Sequence, residues 1–377
     1  MSLTYLDYNS TTPVDEKVLE EMLPYFSNKF GNASSKTHIF GWEAEAAVEL
    51  SRQRCADFIG AESSEIIFTS GATESINLAL RGIAKAYKIG GNHIITCATE
   101  HKAVLDTCHD LSKEGFTITY LGVNRDGLID LHELEAAITP STIMVAIMMA
   151  NNETGVIQDV GQIGLICRKH QVVFFSDITQ AAGKIRLDVN DLNIDVACLS
   201  AHKFYGPKGV GALYARRKNP RVKVVPIQTG GGHESGIRSG TLNVPGIVGL
   251  GKACEIAAEN LWDYGMKTSK LRILLEQGLE IVDGVCINGS IRNRLPNTTN
   301  LTFKSIGAKE LMSSFPDFAF STGSACASAL PEPSHVLCAM GISEEDAKKT
   351  VRFSLGKFTT EAEIRTALDT FKNRLKN

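Results

Sequence analysis

The sequence lacks the features that mark membrane-bound and secreted proteins. Its longest apolar run, Ile143 to Ala150, is far shorter than the roughly 20 residues needed to cross a bilayer. Residues Met1 to Asp7 contain neither the basic region nor the apolar stretch of a signal peptide. We therefore expect a cytoplasmic protein that makes no membrane contact.

Paired cysteines and an excess of one charge are also missing. None of the nine cysteines forms a CxxC pair, which argues against a zinc site and against a disulfide framework. With 39 basic and 42 acidic residues the net charge is -3, and no long run of one sign would attract nucleic acid. Only 11 residues are proline and 43% are hydrophobic, which is typical of a well-packed globular chain. We expect a small-molecule partner, no direct nucleic-acid contact and no metal site of the protein's own.

A length of 377 residues predicts two domains. Between residues 14 and 251 short apolar runs alternate with helical patterns, which indicates an α/β domain around a mainly parallel sheet. The seven candidate strands are Glu65 to Thr69, His93 to Cys97, Phe116 to Leu121, Ile143 to Met149, Val172 to Ser176, Val196 to Leu199 and Gly211 to Tyr214. After residue 251 a helix-prone stretch, Lys252 to Val282, precedes mixed short strands and helices. We expect residues 252–377, joined by residues 1–13, to form a smaller α+β domain that carries a cysteine loop.

A lysine follows one of the buried candidate strands. Lys203 ends the cluster Ser200-Ala201-His202-Lys203, in the loop after Val196 to Leu199. Ligands of open α/β sheets gather at the carboxyl ends of strands, so an amine beside hydroxyl and imidazole donors there suits an anionic aldehyde cofactor. Exposure to solvent is the commoner fate of a single loop lysine, and the assignment therefore depends on the rest of the chain.

Polar groups follow three other candidate strands. The segment Ser70-Gly71-Ala72-Thr73 opens a helix, so its backbone N–H groups and the Thr73 hydroxyl are placed to bind a phosphate. Asp177 directly follows a strand and would pair with a protonated pyridine nitrogen. His101 would supply a ring to stack on an aromatic cofactor and an acid or base near neutral pH. The ordinary alternatives are a helix N-cap, a turn aspartate and a structural histidine.

Two more candidates lie near the end of the chain. Cys326 belongs to a run of small residues and is either an accidental thiol or a nucleophile that loop motion delivers to a site. Arg352, in the alternating run Val351 to Leu355, is either a salt-bridged arginine or a two-pronged clamp for a substrate carboxylate.

Together these motifs resemble the group I cysteine desulfurases, the NifS and IscS-like branch of the class V aminotransferase family. The likeness runs from Tyr5 to about Thr360. The matching segments are Leu6-Asp7-Tyr8, Thr11-Thr12-Pro13, Phe30-Gly31-Asn32, Phe68 to Ser75, Thr99-Glu100-His101, Asn151-Asn152-Glu153, Asp177 with Thr179-Gln180, His202-Lys203, Arg238 to Thr241, Gly323 to Cys326 and Arg352 to Gly356.

The resemblance implies the fold type I architecture of pyridoxal 5'-phosphate (PLP) enzymes and a homodimer with its site at the subunit interface. It implies that Lys203 binds PLP covalently, that His101 stacks on the ring and moves protons, and that Cys326 receives sulfur. The implied PLP contacts are Ala72, Thr73, Asn152, Asp177 on the pyridine nitrogen, Gln180 on the ring hydroxyl, Ser200, His202 and, from the neighbouring subunit, Thr241. The implied substrate contacts are Asn32, Asn152 and Arg352.

The implied reaction removes sulfur from L-cysteine and leaves L-alanine and a persulfide on Cys326. A sulfur-acceptor protein of unknown identity would take the sulfur for iron–sulfur cluster assembly, tRNA thiolation or DNA sulfur modification, and Cys326 would ligate a cluster only in such a complex. The alternative is a selenocysteine lyase or another class V PLP aminotransferase. A scaffold without catalysis is a further alternative, and the retention of Lys203, His101 and Asp177 argues against it.

Overall fold

A seven-stranded sheet is the largest element of the computed structural model, which describes residues 3–322 and 333–375. The strands of the described residues are β1 Thr4–Tyr5, β2 Ile66–Thr69, β3 His93–Cys97, β4 Thr117–Leu121, β5 Thr142–Ala146, β6 Val173–Asp177, β7 Val196–Ser200, β8 Gly211–Ala215, β9 Val285–Ile287, β10 Thr298–Phe303, β11 Phe318–Ala319 and β12 Thr350–Ser354. The order in the large sheet is β2-β8-β7-β6-β5-β3-β4. Within it only β8 runs antiparallel to its neighbours.

Helices cover both faces of this sheet. The α-helices of the described residues are α1 Glu16–Met22, α2 Pro24–Ser27, α3 Ile39–Ile59, α4 Ala72–Tyr87, α5 Lys102–Lys113, α6 Leu131–Ala137, α7 Val160–His170, α8 Val244–Glu259, α9 Leu261–Leu279, α10 Ala308–Ser314, α11 His335–Ala339, α12 Glu344–Ala347 and α13 Glu361–Leu375. Successive strand residues point to opposite faces, so Phe174 packs with α3, α7 and α8 while Phe175 packs with α4 and α5. Both faces of the central strands β5, β6 and β7 are therefore buried, which explains why these strands are mainly apolar runs rather than alternating ones.

Short polar residues and glycine set several helix ends. Asp130 caps α6 by accepting from the N–H groups of His132 and Glu133, and Asp159 caps α7 in the same way through Gln162. The long helix α3 ends at Gly60, whose φ of 72° is left-handed and costs glycine no strain. These signals fix the lengths of the helices that hold the sheet.

A second, smaller core is built around a three-stranded antiparallel sheet of order β12-β10-β9. Helices α9 and α13 supply apolar side chains such as Leu271 and Phe371 to this core, which also contains Phe353 of β12. The rings of Phe315 and Phe371 stack with centroids 4.1 Å apart. This core is separate from those of the large sheet.

The N-terminal residues join the smaller core and then cross to the larger one. Strand β1 pairs in parallel with β11, and the buried Leu6 lies in the same core as Phe353. A few residues later, Thr12 donates from its backbone N–H and its hydroxyl to the carbonyl of His202, beyond β7. The N-terminal segment therefore connects the two parts.

The seven predicted strands and the mainly parallel sheet are confirmed, although the ends of the strands shift by a few residues. The helix-prone stretch Lys252 to Val282 is two helices rather than one, because α8 ends against Asn260 and α9 begins after it. The predicted domain boundary at residue 251 falls inside α8, which packs on α3. Within the described ranges no helix combines the length and the apolar character needed to span a membrane.

Candidate active site

A cavity of about 680 Å³ lies at the carboxyl ends of the parallel strands. Residues that end β6 and β7 or follow β2, β3 and β5 line it, as expected where parallel strands end together. The N-terminal segment and β12 complete the wall. Of the residues singled out from the sequence, the cavity brings together Ala72, Thr73, His101, Asn152, Asp177, Gln180, Ser200, His202, Lys203 and Arg352.

Lys203 lies in a short 3-10 turn directly after β7. Its Nζ donates to the backbone carbonyls of Asn9 at 2.7 Å and Ser10 at 2.8 Å. Desolvation lowers the pKa of Lys203 to about 8, and the positive charge of Arg352 acts in the same direction. Such an amine releases its proton far more readily than an ordinary lysine, which is what a nucleophile and base requires.

Asp177 ends β6 and is nearly buried between neighbouring strands. Its Oδ1 accepts from the Thr179 N–H at 2.9 Å and from the Cys198 thiol at 3.4 Å. Its carboxylate would pair well with a cationic ring nitrogen, because no basic side chain of the described residues forms an ion pair with it.

The beginning of α4 supplies the anion-binding end of the cavity. No side chain caps the first turn of α4, and Gly71 precedes it with a φ of 150° that favours glycine. The uncapped N–H groups and the Thr73 hydroxyl are suited to a phosphate. Ser200 and His202 line the same cavity, and desolvation lowers the pKa of His202 to about 4, so its ring is neutral at pH 7.

His101 is the N-cap of α5, and its Nδ1 accepts from the Ala103 N–H at 3.1 Å. A backbone N–H can only donate, so neutral His101 carries its proton on Nε2. The ring is open to solvent across the cavity, yet the surrounding protein still desolvates it and lowers the pKa of His101. The cap therefore fixes both the ring and its tautomer.

Arg352 reaches the cavity from β12 and is 1% exposed. Its Nη2 donates to Asp7 Oδ1 at 2.6 Å and to Ser10 Oγ at 3.0 Å, and its Nη1 donates to the carbonyl of Asn152 at 2.8 Å. Among the described residues its Nε has no acceptor. A buried guanidinium with a free N–H beside a cavity is suited to a carboxylate ligand.

Two of the singled-out residues do not line this cavity. Thr241 and Asn32 are exposed, and Asn32 Oδ1 accepts from the Ser34 N–H at 2.9 Å. Cys326 lies outside the described residues. The chain enters that segment from Ser321, which exchanges two backbone hydrogen bonds with Arg352.

The far end of the same segment is attached close to the cavity. Ser334 donates from its hydroxyl to the buried Glu153 at 2.5 Å, and His335 Nε2 lies 2.9 Å from the carbonyl of Glu100, the neighbour of His101. Residues on both sides of the cysteine segment are thus bonded to residues in or beside the site.

Several cavity residues were given no role by the sequence analysis. They are Asn9, Ser10, Thr11, Glu74, Met148, Ala150, Thr179, Lys208 and Gly209. The first three belong to the N-terminal segment, for which the only signal was the Leu6 to Pro13 motif. Lys184 was also missed, although its Nζ bonds to Gln180 at the cavity wall.

Comparison with known proteins is consistent across sequence and structure. A family model described as aminotransferase class-V matches residues 4–366. A protein named cysteine desulfurase IscS from Anaeromyxobacter dehalogenans is 52% identical over 373 residues, which is 99% of this chain and 92% of the relative. A solved structure described as a NifS-like protein is similar with a TM-score of 0.93 and 40% identity over 99% of both chains. A structure of SspA in complex with cysteine has a TM-score of 0.83 and 39% identity, over 95% of this chain and 100% of that one.

Proposed function

The chain belongs to the class V aminotransferase family and acts as a cysteine desulfurase, and we propose that the cavity around Lys203 binds its PLP and its L-cysteine. The observation that carries this proposal is the meeting of three groups in one cavity: an amine with a lowered pKa, a buried carboxylate and an uncapped helix N-terminus. Cys326 is the proposed sulfur acceptor.

The cavity residues fit PLP group by group. The first turn of α4, with Thr73, Ser200 and His202, would hold the phosphate, and the neutral state of His202 leaves its ring free to donate a hydrogen bond. Asp177 would pair with the pyridine nitrogen and Gln180 would donate to the ring hydroxyl. Lys203 would bond the cofactor carbon through its Nζ, which already lies in the cavity wall.

Bound PLP supplies an electron sink that makes bonds at the substrate Cα and Cβ labile. The chain's own groups do the remaining work. Arg352 and Asn152 hold the carboxylate of L-cysteine, and the Lys203 amine, once the substrate has displaced it, takes the α-proton. The Nε2–H of His101 is available to donate a hydrogen bond at the substrate.

Sulfur transfer needs no external oxidant or reductant. The Cys326 thiolate attacks the substrate sulfur, so an S–S bond forms while the Cβ–S bond breaks and its electron pair stays with carbon. Cβ then takes a proton and Cα regains the proton held by Lys203, so the products are L-alanine and a Cys326 persulfide. The persulfide sulfur passes to an acceptor protein by a second thiol exchange.

A homodimer with a shared site is part of the proposal. Between residues 23 and 42 six large apolar side chains are exposed, which suits a contact with another protein: Leu23, Phe26, Phe30, Ile39, Phe40 and Trp42. The Phe30 and Phe40 rings lie 5.5 Å apart, so at least part of this surface is continuous. Thr241 is exposed and would reach the phosphate of the neighbouring subunit.

The test is to incubate the PLP-loaded protein with L-cysteine and to measure alanine, pyruvate and protein-bound persulfide. Equal amounts of alanine and transferred sulfur, with persulfide on the Cys326 peptide, are expected. Formation of pyruvate in place of alanine would point to elimination of the sulfur as sulfide, and formation of 3-mercaptopyruvate when a 2-oxo acid is supplied would point to an aminotransferase. A marked preference for selenocysteine over cysteine would point to a selenocysteine lyase.

A further inference from the structure

Lys184 is a buried lysine that the reaction described above does not use. It is 4% exposed and lies one helical turn after Gln180, in the segment that follows β6. Its Nζ donates to Gln180 Oε1 at 2.6 Å and to Asn9 Oδ1 at 2.9 Å. Throughout residues 3–322 and 333–375, no carboxylate forms an ion pair with it. A buried lysine without an acid partner calls for an explanation.

Both acceptors of Lys184 are side-chain amides that line the cavity. An amide has a carbonyl oxygen at one end and an N–H2 group at the other, whereas a lysine amine at this position faces acceptors only. Rotating either amide by half a turn would bring its N–H2 against the lysine N–H groups. Lys184 therefore fixes which end of Gln180 and of Asn9 faces it.

The orientation of Gln180 has a direct consequence for the cavity. With Oε1 held by Lys184, Gln180 Nε2 points the other way and donates to the carbonyl of Asn9 at 3.0 Å. That same carbonyl accepts from Lys203 Nζ at 2.7 Å. Gln180 thus presents a donor, not an acceptor, to the side of the cavity where Lys203 lies.

The surroundings explain how Lys184 can be buried here. Desolvation holds the pKa of Lys184 well below its usual range, and the positive charges of Lys203 and Arg352 act in the same direction. The two amide oxygens within hydrogen-bond distance accept from its N–H groups, so the amine is satisfied without a carboxylate partner.

We propose that Lys184 is a positioning residue, which locks the Gln180 amide so that Gln180 remains a hydrogen-bond donor to the ring oxygen of bound PLP. The inference rests on the proposed function, because it presupposes that PLP occupies the cavity. Lys184 itself would touch neither PLP nor L-cysteine.

A double-mutant cycle on PLP binding tests the inference. Lys184→Met keeps a long apolar chain but removes the donors, and Gln180→Leu removes the amide. PLP affinity of the cofactor-stripped protein, measured by titration, is expected to fall about 3- to 10-fold in either variant, the value of one net hydrogen bond. The double variant is expected to be no weaker than Gln180→Leu, because Lys184 acts only through Gln180. Independent, multiplicative losses would overturn the proposal.

A spectroscopic readout separates positioning from a general loss of stability. Removing a donor from an anionic ring oxygen favours its protonated form, so the pH at which the bound cofactor changes its visible absorbance is expected to rise in Lys184→Met by about half a unit or more. The matched control is Asn288→Leu, which removes a buried amide that bonds to Asn300 and Thr302 and does not line the cavity. The control is expected to lower the unfolding midpoint without moving this absorbance change.

Gln180→Glu keeps the test decisive even if Lys184→Met fails to fold. A glutamate there still accepts from Lys184 but offers no N–H, so this variant is expected to fold and to lose PLP affinity about as much as Gln180→Leu. PLP binding equal to that of the parent would overturn the inference. Failure of the parent protein itself to bind PLP through Lys203 would instead overturn the proposed function, and with it this inference.

Discussion

Two parts of the molecule bury basic side chains in opposite ways. In the smaller core, Arg272 donates twice to Glu276 at 2.7 and 2.8 Å, and Arg294 Nη1 lies 3.5 Å from the same carboxylate. At the cavity, Lys184 and Lys203 donate to carbonyl and amide oxygens, and neither forms an ion pair within the described part of the chain.

The buried arginines of the smaller core are charged groups that stabilise the fold. At the cavity, in contrast, an amine must change its protonation state. Burial lowers the pKa of Arg294 to about 10, but the nearby carboxylate opposes that shift and the group stays charged at neutral pH. Lys203, with a pKa of about 8, can give up its proton under ordinary conditions. A carboxylate bonded to Lys203 would raise its pKa and remove the property that catalysis uses.

The strongest way to break this comparison is Lys203→Ala. Alanine formation from L-cysteine is expected to fall by at least about 10³-fold, because the variant loses both the amine that bonds PLP and the base for the α-proton. The cofactor-free variant should remain folded and unfold cooperatively in urea. Borohydride reduction followed by peptide mass analysis should find PLP on the Lys203 peptide of the parent alone. Covalent PLP elsewhere in the parent would contradict the assignment.

Cys326→Ser separates the role of Lys203 in binding PLP and L-cysteine from the transfer of sulfur. The variant is expected to bind PLP and to change its visible spectrum on addition of L-cysteine, yet to yield almost no alanine, because the attacking thiolate is gone. Cys286→Ser, which replaces an exposed cysteine, is the matched control and should retain activity. Loss of PLP binding in Cys326→Ser would mean that Cys326 has a structural role.

Glu276→Gln tests the structural side of the comparison. The change leaves two buried guanidinium groups without their carboxylate and is expected to lower the free energy of unfolding by about 3–5 kcal/mol. Turnover per folded molecule should be unaffected because Glu276 lies outside the cavity. Denaturant unfolding and activity at low temperature measure the two quantities. A large loss of turnover without a loss of stability would reverse the distinction drawn above.

The smallest expected effect is the change with pH in the contribution of Lys203 to the free energy of unfolding. The pKa of Lys203 is about 8 in the folded protein and about 10.4 in an unfolded chain, so between these values the unfolded state binds the extra proton. Stability from this group therefore rises with pH across that window. In cofactor-free protein, Lys203→Met should be more stable than the parent at pH 7, and this advantage should disappear by about pH 10. Thermal midpoints across the range would show it, and a constant difference would contradict the lowered pKa.

The sheet, and the cavity residues that follow its strands, could be predicted because both depend on residues that are close together in the sequence. Buried parallel strands are short apolar runs, and Thr73, His101, Asp177 and Lys203 each follow or end one, so their meeting at one edge of the sheet follows from topology. The prediction of Arg352 needed the family resemblance. Its position depends on β12 in the other core.

The contact between Asn9 and Lys184 could not be predicted from neighbouring residues in the sequence. Lys184 Nζ bonds to Asn9 Oδ1 across 175 residues of chain, and Asn297 Nδ2 bonds to the same oxygen across 288. Neither residue belongs to a periodic pattern, and a lysine after a turn ordinarily predicts exposure. The predicted contact of Thr241 depends on a second subunit, and it stays a prediction, as does the substrate contact of Asn32.

The N-terminal segment also governs when this protein can become active during its synthesis. Asp7 and Asn9 emerge early from the ribosome, yet Asp7 pairs with Arg352 and the Asn9 N–H donates to Ser354, each across 345 residues. The large sheet can begin to fold before the smaller core is complete, because its strands end at residue 215. The wall of the cavity cannot close until nearly the whole chain has been translated. A nascent or truncated chain is therefore expected to lack a competent cofactor site, so translation itself delays activation.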